Sequence, residues 1–248
     1  GDASVVSLQI GGFPSCTGTL IGARTVLTAG HCLVDVGGIP ITVVVVEDAT
    51  QSDAVAFDVV ESARHPQYAG EGKDFDVALF KLDRDATSSP VALVDHVLTD
   101  ADVGRNLRHV GYGVANESDG SGRGVRRSVD MAITSVTPTL VFSGSATQQT
   151  CDGDSGGPGL FVDDDGVEKI ASITSDGPSC HEIGWDSRID ASRRFIEQTR
   201  DRFETADASS TTTPPSGCAC AHGSASAAFA CLALSLRVRT RRTRTRTR

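Results

Sequence analysis

The sequence predicts an all-β chain whose folded part closes on a single helix, and three observations carry that reading. Short β-branched runs bounded by turn residues recur from Val5 to Thr174. Helical periodicity is almost absent among them, the exception being an amphipathic segment near Ala191–Phe203. At 248 residues and 39% hydrophobic content, the chain can bury a real core in one large β domain or two small ones.

The runs are Val5–Ile10, Ile41–Val46, Val55–Val60, Val77–Leu82, Arg108–Gly111, Ser128–Thr134 and Ile170–Thr174. A sandwich and a barrel satisfy this pattern equally. The valines of "ITVVVVED" read as core strand. In the helical segment Asp190 is placed to cap, and Phe195, Ile196, Thr199 and Phe203 share one face. The composition then shifts to the linker "ETADASSTTTPPSG", followed by a cysteine cluster, a weakly apolar stretch and an arginine-threonine end. This divides the chain into a body of residues 1–204, a linker of 205–217 and a tail of 218–248. The apolar stretch Ala225–Leu236 is shorter than the roughly 20 residues that span a bilayer.

The formal net charge of −9 hides an asymmetry. Seven of the 23 basic residues follow Leu236, where no acidic residue occurs, so the rest carries 16 basic against 32 acidic side chains, a net of −16. Such a body repels nucleic acid, which is excluded as its partner. Cys16, Cys32, Cys151 and Cys180 lie in the body, and Cys218, Cys220 and Cys231 in the tail. Four body cysteines in a lysine-poor acidic chain imply two disulfides and an oxidising compartment, and their spacing is not that of a zinc site. The chain opens at Gly1 and its only methionine is Met131, which reads as processing or truncation at the N-terminus.

Chemistry concentrates in "TCDGDSGGPGL", Thr150 to Leu160. Its glycines permit a loop that aims several amide N–H groups at one point, and Ser155 stands in the middle of it. A serine hydroxyl needs a base to become a nucleophile, and histidine has the suitable pKa. Of His31, His65, His96, His109, His181 and His222, His31 has the best setting, at the end of a β-like run in "LTAGHCLV" beside Cys32. His65, followed by Pro66, reads as a turn residue. A carboxylate that orients the base is expected at Asp76 in "DFDVALFKL", with Asp74, two residues earlier on the same face of a strand, as its rival.

Together "LTAGHC", "DFDVALF" and "CDGDSGGP", in the order His, Asp, Ser, resemble the chymotrypsin-like (trypsin-like) serine endopeptidases. Supporting matches are "CTGTLIG", "HPQY", "GYG", "ITSDG" and "GWDSRI", so the resemblance runs from about Val5 to Phe203. It implies a double six-stranded antiparallel β-barrel with a C-terminal helix. It also implies His31 as general base, Asp76 as its orienting carboxylate and Ser155 as nucleophile, with the amides of Gly153 and Ser155 as oxyanion hole. Bridges Cys16–Cys32 and Cys151–Cys180 follow from it, as do Gln149, Ser175, Gly177 and Gly184 as substrate-binding residues. The substrates implied are proteins or peptides, cut by a monomer that uses no metal or organic cofactor.

In that family an N-terminal ammonium pairs with the aspartate before the serine, here Asp154. No Ile-Val-Gly-Gly start precedes Cys16, so either a segment is missing or Asp154 is uncompensated, which is costly when buried. Gln149 at the floor of the pocket is neutral, which points away from a strict preference for Arg or Lys. Glu182 or Asp186 reaching the pocket would restore one. Asp163–Asp165 in "FVDDDGVE" reads as a hairpin turn rather than a calcium loop. The order of linker, "GCAC", apolar stretch and arginine end resembles the C-terminal sorting signals of myxobacterial surface proteins. A nucleic-acid arm and a translation artefact are the other readings of that tail. The combined expectation is an exported, surface-retained serine endopeptidase, against the alternative of a protease-like surface protein that binds without cutting.

Overall fold

β1 (Val5–Ile10) reverses through Gly11 and Gly12, whose φ angles of 60° and 84° suit a two-residue hairpin turn, and returns as β2 (Phe13–Leu20). The computed structural model describes residues 2–33, 39–51, 54–70, 74–163 and 165–205, all within one unit of residues 1–211. The linker beyond Thr205, the cysteine cluster, the apolar stretch and the arginine end lie outside the described residues.

After β3 (Thr25–Thr28), β4 (Ile41–Val45), β5 (Val55–Arg64) and β6 (Ala78–Leu82), the first sheet closes in the order β1-β2-β3-β6-β5-β4. Closure comes from Ser7–Ile10 pairing with Val44–Ile41. The second sheet contains β7 (Asn106–Gly111), β8 (Arg127–Val136), β9 (Leu140–Ser143), β10 (Pro158–Val162), β11 (Glu168–Asp176) and β12 (Gly184–Arg188). It closes as β10-β11-β12-β9-β8-β7. The fold is therefore two six-stranded antiparallel barrels and one helix, α1 (Ile189–Thr205).

Every strand expected from β-branched runs is present, with shifted ends: the Val55 strand continues to Arg64, the Arg108 strand begins at Asn106 and the Val77 strand begins at Ala78. Five further strands do not stand out in the sequence: β3 and β9 are only four residues long, and β2, β10 and β12 carry little β-branched signal or many small residues. In β2, "FPSCTGTL", small residues are required by packing, since a Cβ on Gly18 would lie 2.6 Å from Val26 Cγ1. The Asp190 cap is corrected. The helix already begins at Ile189, and Asp190 in its first turn instead receives the Arg188 guanidinium, whose Nε lies 3.0 Å from Oδ1. Along α1, Ile189, Ile196 and Phe203 are fully buried and Thr199 nearly so. The helix packs on β3 and β6 of one barrel and on β11 and β12 of the other, so it braces both. Tyr112, just after β7, is buried at the junction and sends its hydroxyl to Val5 O, 3.0 Å away in β1.

Candidate active site

β3 ends in the core and hands the chain to a 3₁₀ turn, Gly30–Cys32, that carries His31. A Cβ at position 30 would crowd Asp76 Oδ1 at 3.0 Å and Val77 N at 3.2 Å, and glycine there leaves the carboxylate its place. Cys32 is bonded to Cys16 of β2, which pins the turn. Asp76 is brought to His31 from the entrance of β6 by Phe75, whose φ of 56° makes it the only non-glycine residue with positive φ among the described residues. The Phe75 ring stacks on that of His65, with centroids 4.7 Å apart.

The buried Asp76 carboxylate clasps His31 twice. Oδ2 lies 2.7 Å from the ring Nδ1, and Oδ1 accepts the His31 backbone N–H at 2.8 Å. Ser175 Oγ donates to Oδ2 at 2.6 Å, and Asp76 N donates to Ser187 Oγ at 3.1 Å. With Nδ1–H facing the carboxylate, Nε2 keeps its lone pair. Burial by itself lowers the His31 pKa, but the hydrogen bond and charge of Asp76, joined by the charge of Asp176, raise it above its ordinary value. Burial raises the Asp76 pKa, yet the contacts with His31 and Ser175 hold it below the usual carboxylate range. Asp74 is not the partner; it lies in the exposed turn and receives Thr139 Oγ1.

Ser155 lies in the loop before β10. Its Oγ donates to Ser175 O at 3.4 Å, and it has no hydrogen bond to His31 among the described residues. Ser175 thus contacts both Ser155 and Asp76, while Cys32 Sγ lies 3.6 Å from Ser155 O. Gly153 has a φ of 99°, a conformation reserved for glycine. The second disulfide, Cys151–Cys180, ties the start of this loop to the segment before β12.

A cavity of about 240 Å³ opens beside Ser155, walled by Gln149, Ser175, Asp176, Gly177 and Gly184. The two glycines face each other: a Cβ on Gly177 would meet Gly184 Cα at 3.2 Å. The Gln149 amide is occupied, with Oε1 accepting Thr150 N at 2.8 Å and Nε2 donating to Ser143 O at 3.3 Å and to Glu182 O. Asp186 does not reach this cavity. It is buried in the second barrel, where Oδ2 lies 2.7 Å from both His109 Nε2 and Ser172 Oγ. Glu182 turns to Ser179 Oγ, 3.1 Å away.

Asp154 borders a second cavity, of about 230 Å³, with His109, Gly111 and Arg127. Its carboxylate accepts Gly113 N at 2.7 Å and Cys151 N at 2.9 Å. Desolvation pushes its pKa up against these two amides and the charges of Arg127 and His109. The choice posed by the sequence, an ammonium or no compensation, therefore omits these amide donors. Gly111 and Gly113 leave room for Asp154, since a Cβ on either would strike its carboxylate.

His65 starts a turn, as its position before Pro66 suggests, but its ring is buried. Asp163 and Asp165 flank the β10–β11 turn and share the Lys169 ammonium at 3.0 and 2.9 Å. Cys16, His31 and Cys32 are close enough to look like metal ligands, but the two sulfurs are bonded to each other and have no thiolate to offer. Sequence reasoning quoted "ITSDG" and "GWDSRI" but gave no role to Asp176 or Ser187 within them, because their contacts with His31 and Asp76 join residues far apart in the chain.

The family model described as Trypsin matches residues 2–195. Vitellin-degrading protease of Bombyx mori is 26% identical over 213 residues, covering 78% of this chain and 79% of that protein. Trypsin 5G1 of Aedes aegypti is 28% identical over 214 residues, 78% of each. Serine protease Hayan of Drosophila melanogaster is 28% identical over 199 residues, 66% of this chain but 31% of that protein. Among solved structures, neuropsin, a serine protease of mouse brain, superimposes with a TM-score of 0.68 at 24% identity, over 80% of this chain and 94% of that one, and shows the likeness of fold.

Proposed function

The chain belongs to the trypsin family of serine endopeptidases, and from that premise we propose that it cuts peptide bonds through Ser155, His31 and Asp76 by way of an acyl-enzyme. The supporting observation is the bonded chain from Ser155 through Ser175 to Asp76 and His31. The Ser155 hydroxyl turns from Ser175 O to His31 Nε2, attacks the substrate carbonyl and loses its proton to the imidazole. Asp76 fixes the tautomer and steadies the imidazolium. The carbonyl oxygen, now negative, is received by the N–H groups of Gly153 and Ser155, one such donor being worth about 3 kcal/mol. His31 then protonates the leaving amine, and water repeats the sequence on the acyl group.

Substrates are proteins or peptides, and Gln149, Ser175, Gly177 and Gly184 form the side-chain pocket. Its neutral, occupied floor argues against a strict preference for Arg or Lys. Asp154 is the activation partner, its cavity receiving an ammonium that completes the two amide bonds. The catalytic domain is residues 1–204, exported and acting outside the cytoplasm as a monomer. Linker 205–217 and tail 218–248 are read as surface retention. Peptide mass spectrometry of cell-surface fractions is expected to recover the body from the envelope, and a body found only free in the medium opposes retention.

A fluorophosphonate probe tests the catalytic reading. Labelling of the wild-type protein is expected to vanish in Ser155→Ala, with kcat falling by a factor on the order of 10⁶. Absence of wild-type labelling and turnover favours the second reading, a protease-like surface protein that binds without cutting. Its supporting observation is that Ser155 has no hydrogen bond to His31 among the described residues.

A further inference from the structure

Every carbonyl of the loop from Asp152 to Ser155 is held, whereas three of its four amides have no partner among the described residues. All four carbonyls accept hydrogen bonds: Asp152 O from Val114 N at 2.9 Å, Gly153 O from Thr17 Oγ1 at 2.9 Å, Asp154 O from Gly157 N at 2.9 Å and Ser155 O from Thr17 N at 2.8 Å. Asp154 N donates to Cys151 O at 2.9 Å. Among the described residues the N–H groups of Asp152, Gly153 and Ser155 are left without a partner in this stretch, and the last two belong to the residues on either side of Asp154. A trans peptide points its N–H opposite to its C=O, so holding the Asp152 and Asp154 carbonyls aims these two amides together. The weak place is Gly153, whose φ of 99° lies in a region where glycine turns with little resistance.

Of the four carbonyl bonds, the one that steadies Gly153 O is the only one supplied by a side chain. Thr17 belongs to β2, in the opposite barrel, and is fully buried. Its hydroxyl has one hydrogen, given to Gly153 O, and it accepts Tyr112 N at 3.0 Å. The next residue but one in the loop, Ser155, is held by the Thr17 amide. Gly113, next to Tyr112, donates to Asp154 Oδ1 at 2.7 Å. One threonine therefore connects the first barrel to the nucleophile loop and to the segment that holds Asp154.

We propose that the Thr17 hydroxyl is a positioning element of the oxyanion hole: by holding the Gly153–Asp154 peptide, while Val114 N holds the Asp152–Gly153 peptide, it stops rotation about Gly153 that would turn the Gly153 amide away from the Ser155 amide and the developing charge. The proposal rests on the reading of Gly153 and Ser155 as that hole. Thr17 touches no substrate; it acts through Gly153. Losing it costs stabilisation of the transition state and leaves ground-state binding in place.

The test compares Thr17→Val, which keeps shape and burial but loses the hydroxyl, with Thr17→Ser, which keeps the hydroxyl and loses a methyl. In peptide hydrolysis, kcat of Thr17→Val is expected to fall about tenfold with KM within about twofold, the size of one buried hydrogen bond. Thr17→Ser is expected to retain kcat within about twofold. Affinity for a peptidyl trifluoromethyl ketone, which forms the tetrahedral oxyanion, falls in step with kcat/KM, while affinity for the product peptide does not. Where the valine variant does not fold, Thr17→Ala takes its place, with kcat expected below that of Thr17→Ser. Unchanged kcat in the hydroxyl-free variant, or equal loss in Thr17→Ser, overturns the role of Thr17. Wild-type protein without turnover or probe labelling removes the protease reading itself, so the two failures are told apart.

Discussion

Asp176 ends β11 with an exposed carboxylate on the wall of the pocket beside Ser155, and its charge adds to that of Asp76 in raising the His31 pKa. A general base must be neutral to accept a proton, so kcat/KM falls as pH drops through the His31 pKa. Removing a nearby negative charge makes the imidazolium less favourable. In Asp176→Asn the acid limb of the pH profile is therefore expected to move to lower pH, and an unmoved limb in kcat/KM titrations refutes the coupling. At this scale His31, Asp76 and Ser155 stood out because each is embedded in a motif, and the structure brings the first two of them into contact. The sequence already preferred Asp76 over Asp74, and the structure agrees: beside Phe75, with its positive φ, one carboxylate meets His31 and the other stays in an exposed turn. Asp186 shows the opposite case. A carboxylate near the pocket in sequence is consumed by His109 and Ser172 in the barrel interior, and only coordinates reveal that.

Among the elements, α1 was foreseen in kind and on the correct face, because Ile196 and Phe203 follow the helical period and are both buried. Its start was not, since Asp190 serves the Arg188 guanidinium inside the first turn. Glu204, in the last turn, accepts Arg24 N at 3.1 Å and fastens the helix end to the first barrel. Phe203→Ala is expected to destabilise the protein by about 3–5 kcal/mol, read as a lower urea midpoint at unchanged slope. A loss below about 1 kcal/mol contradicts the bracing role given to the helix. Strands rich in Val and Ile announced themselves, while β2, β9 and β12 did not. The small and polar residues of β2 and β12, and the four-residue β9, become strands because closed barrels give every edge a partner and bury even serine and threonine against neighbours.

The whole molecule is held at the point where the nucleophile loop meets the first barrel. Gly156, with φ of 85°, passes so close to β2 and β3 that a Cβ would collide with Thr28 Oγ1 and Thr17 O and lie 2.9 Å from Ala29 N. These are backbone and buried atoms with no free space to move into. Gly156→Ala is expected to cost more than about 4 kcal/mol in stability and to abolish fluorophosphonate labelling. Near-wild-type melting with full labelling is the outcome that refutes this account of the junction. The three glycines of "CDGDSGGP" are thus used differently: Gly153 for a positive φ, Gly157 for a close approach to Val110 O, and Gly156 for both a positive φ and a close approach.

The sequence alone determined the β character of the body, its terminal helix, the disulfide chemistry and the residue types of the site, because these depend on local pattern and on what each side chain can do. The tertiary structure decided how Asp76 is held against His31, which amides remain unpaired and which hydroxyl holds the loop. Those are contacts between residues far apart in the chain, such as Thr17 with Gly153 and Asp76 with Ser175, and no local pattern records them.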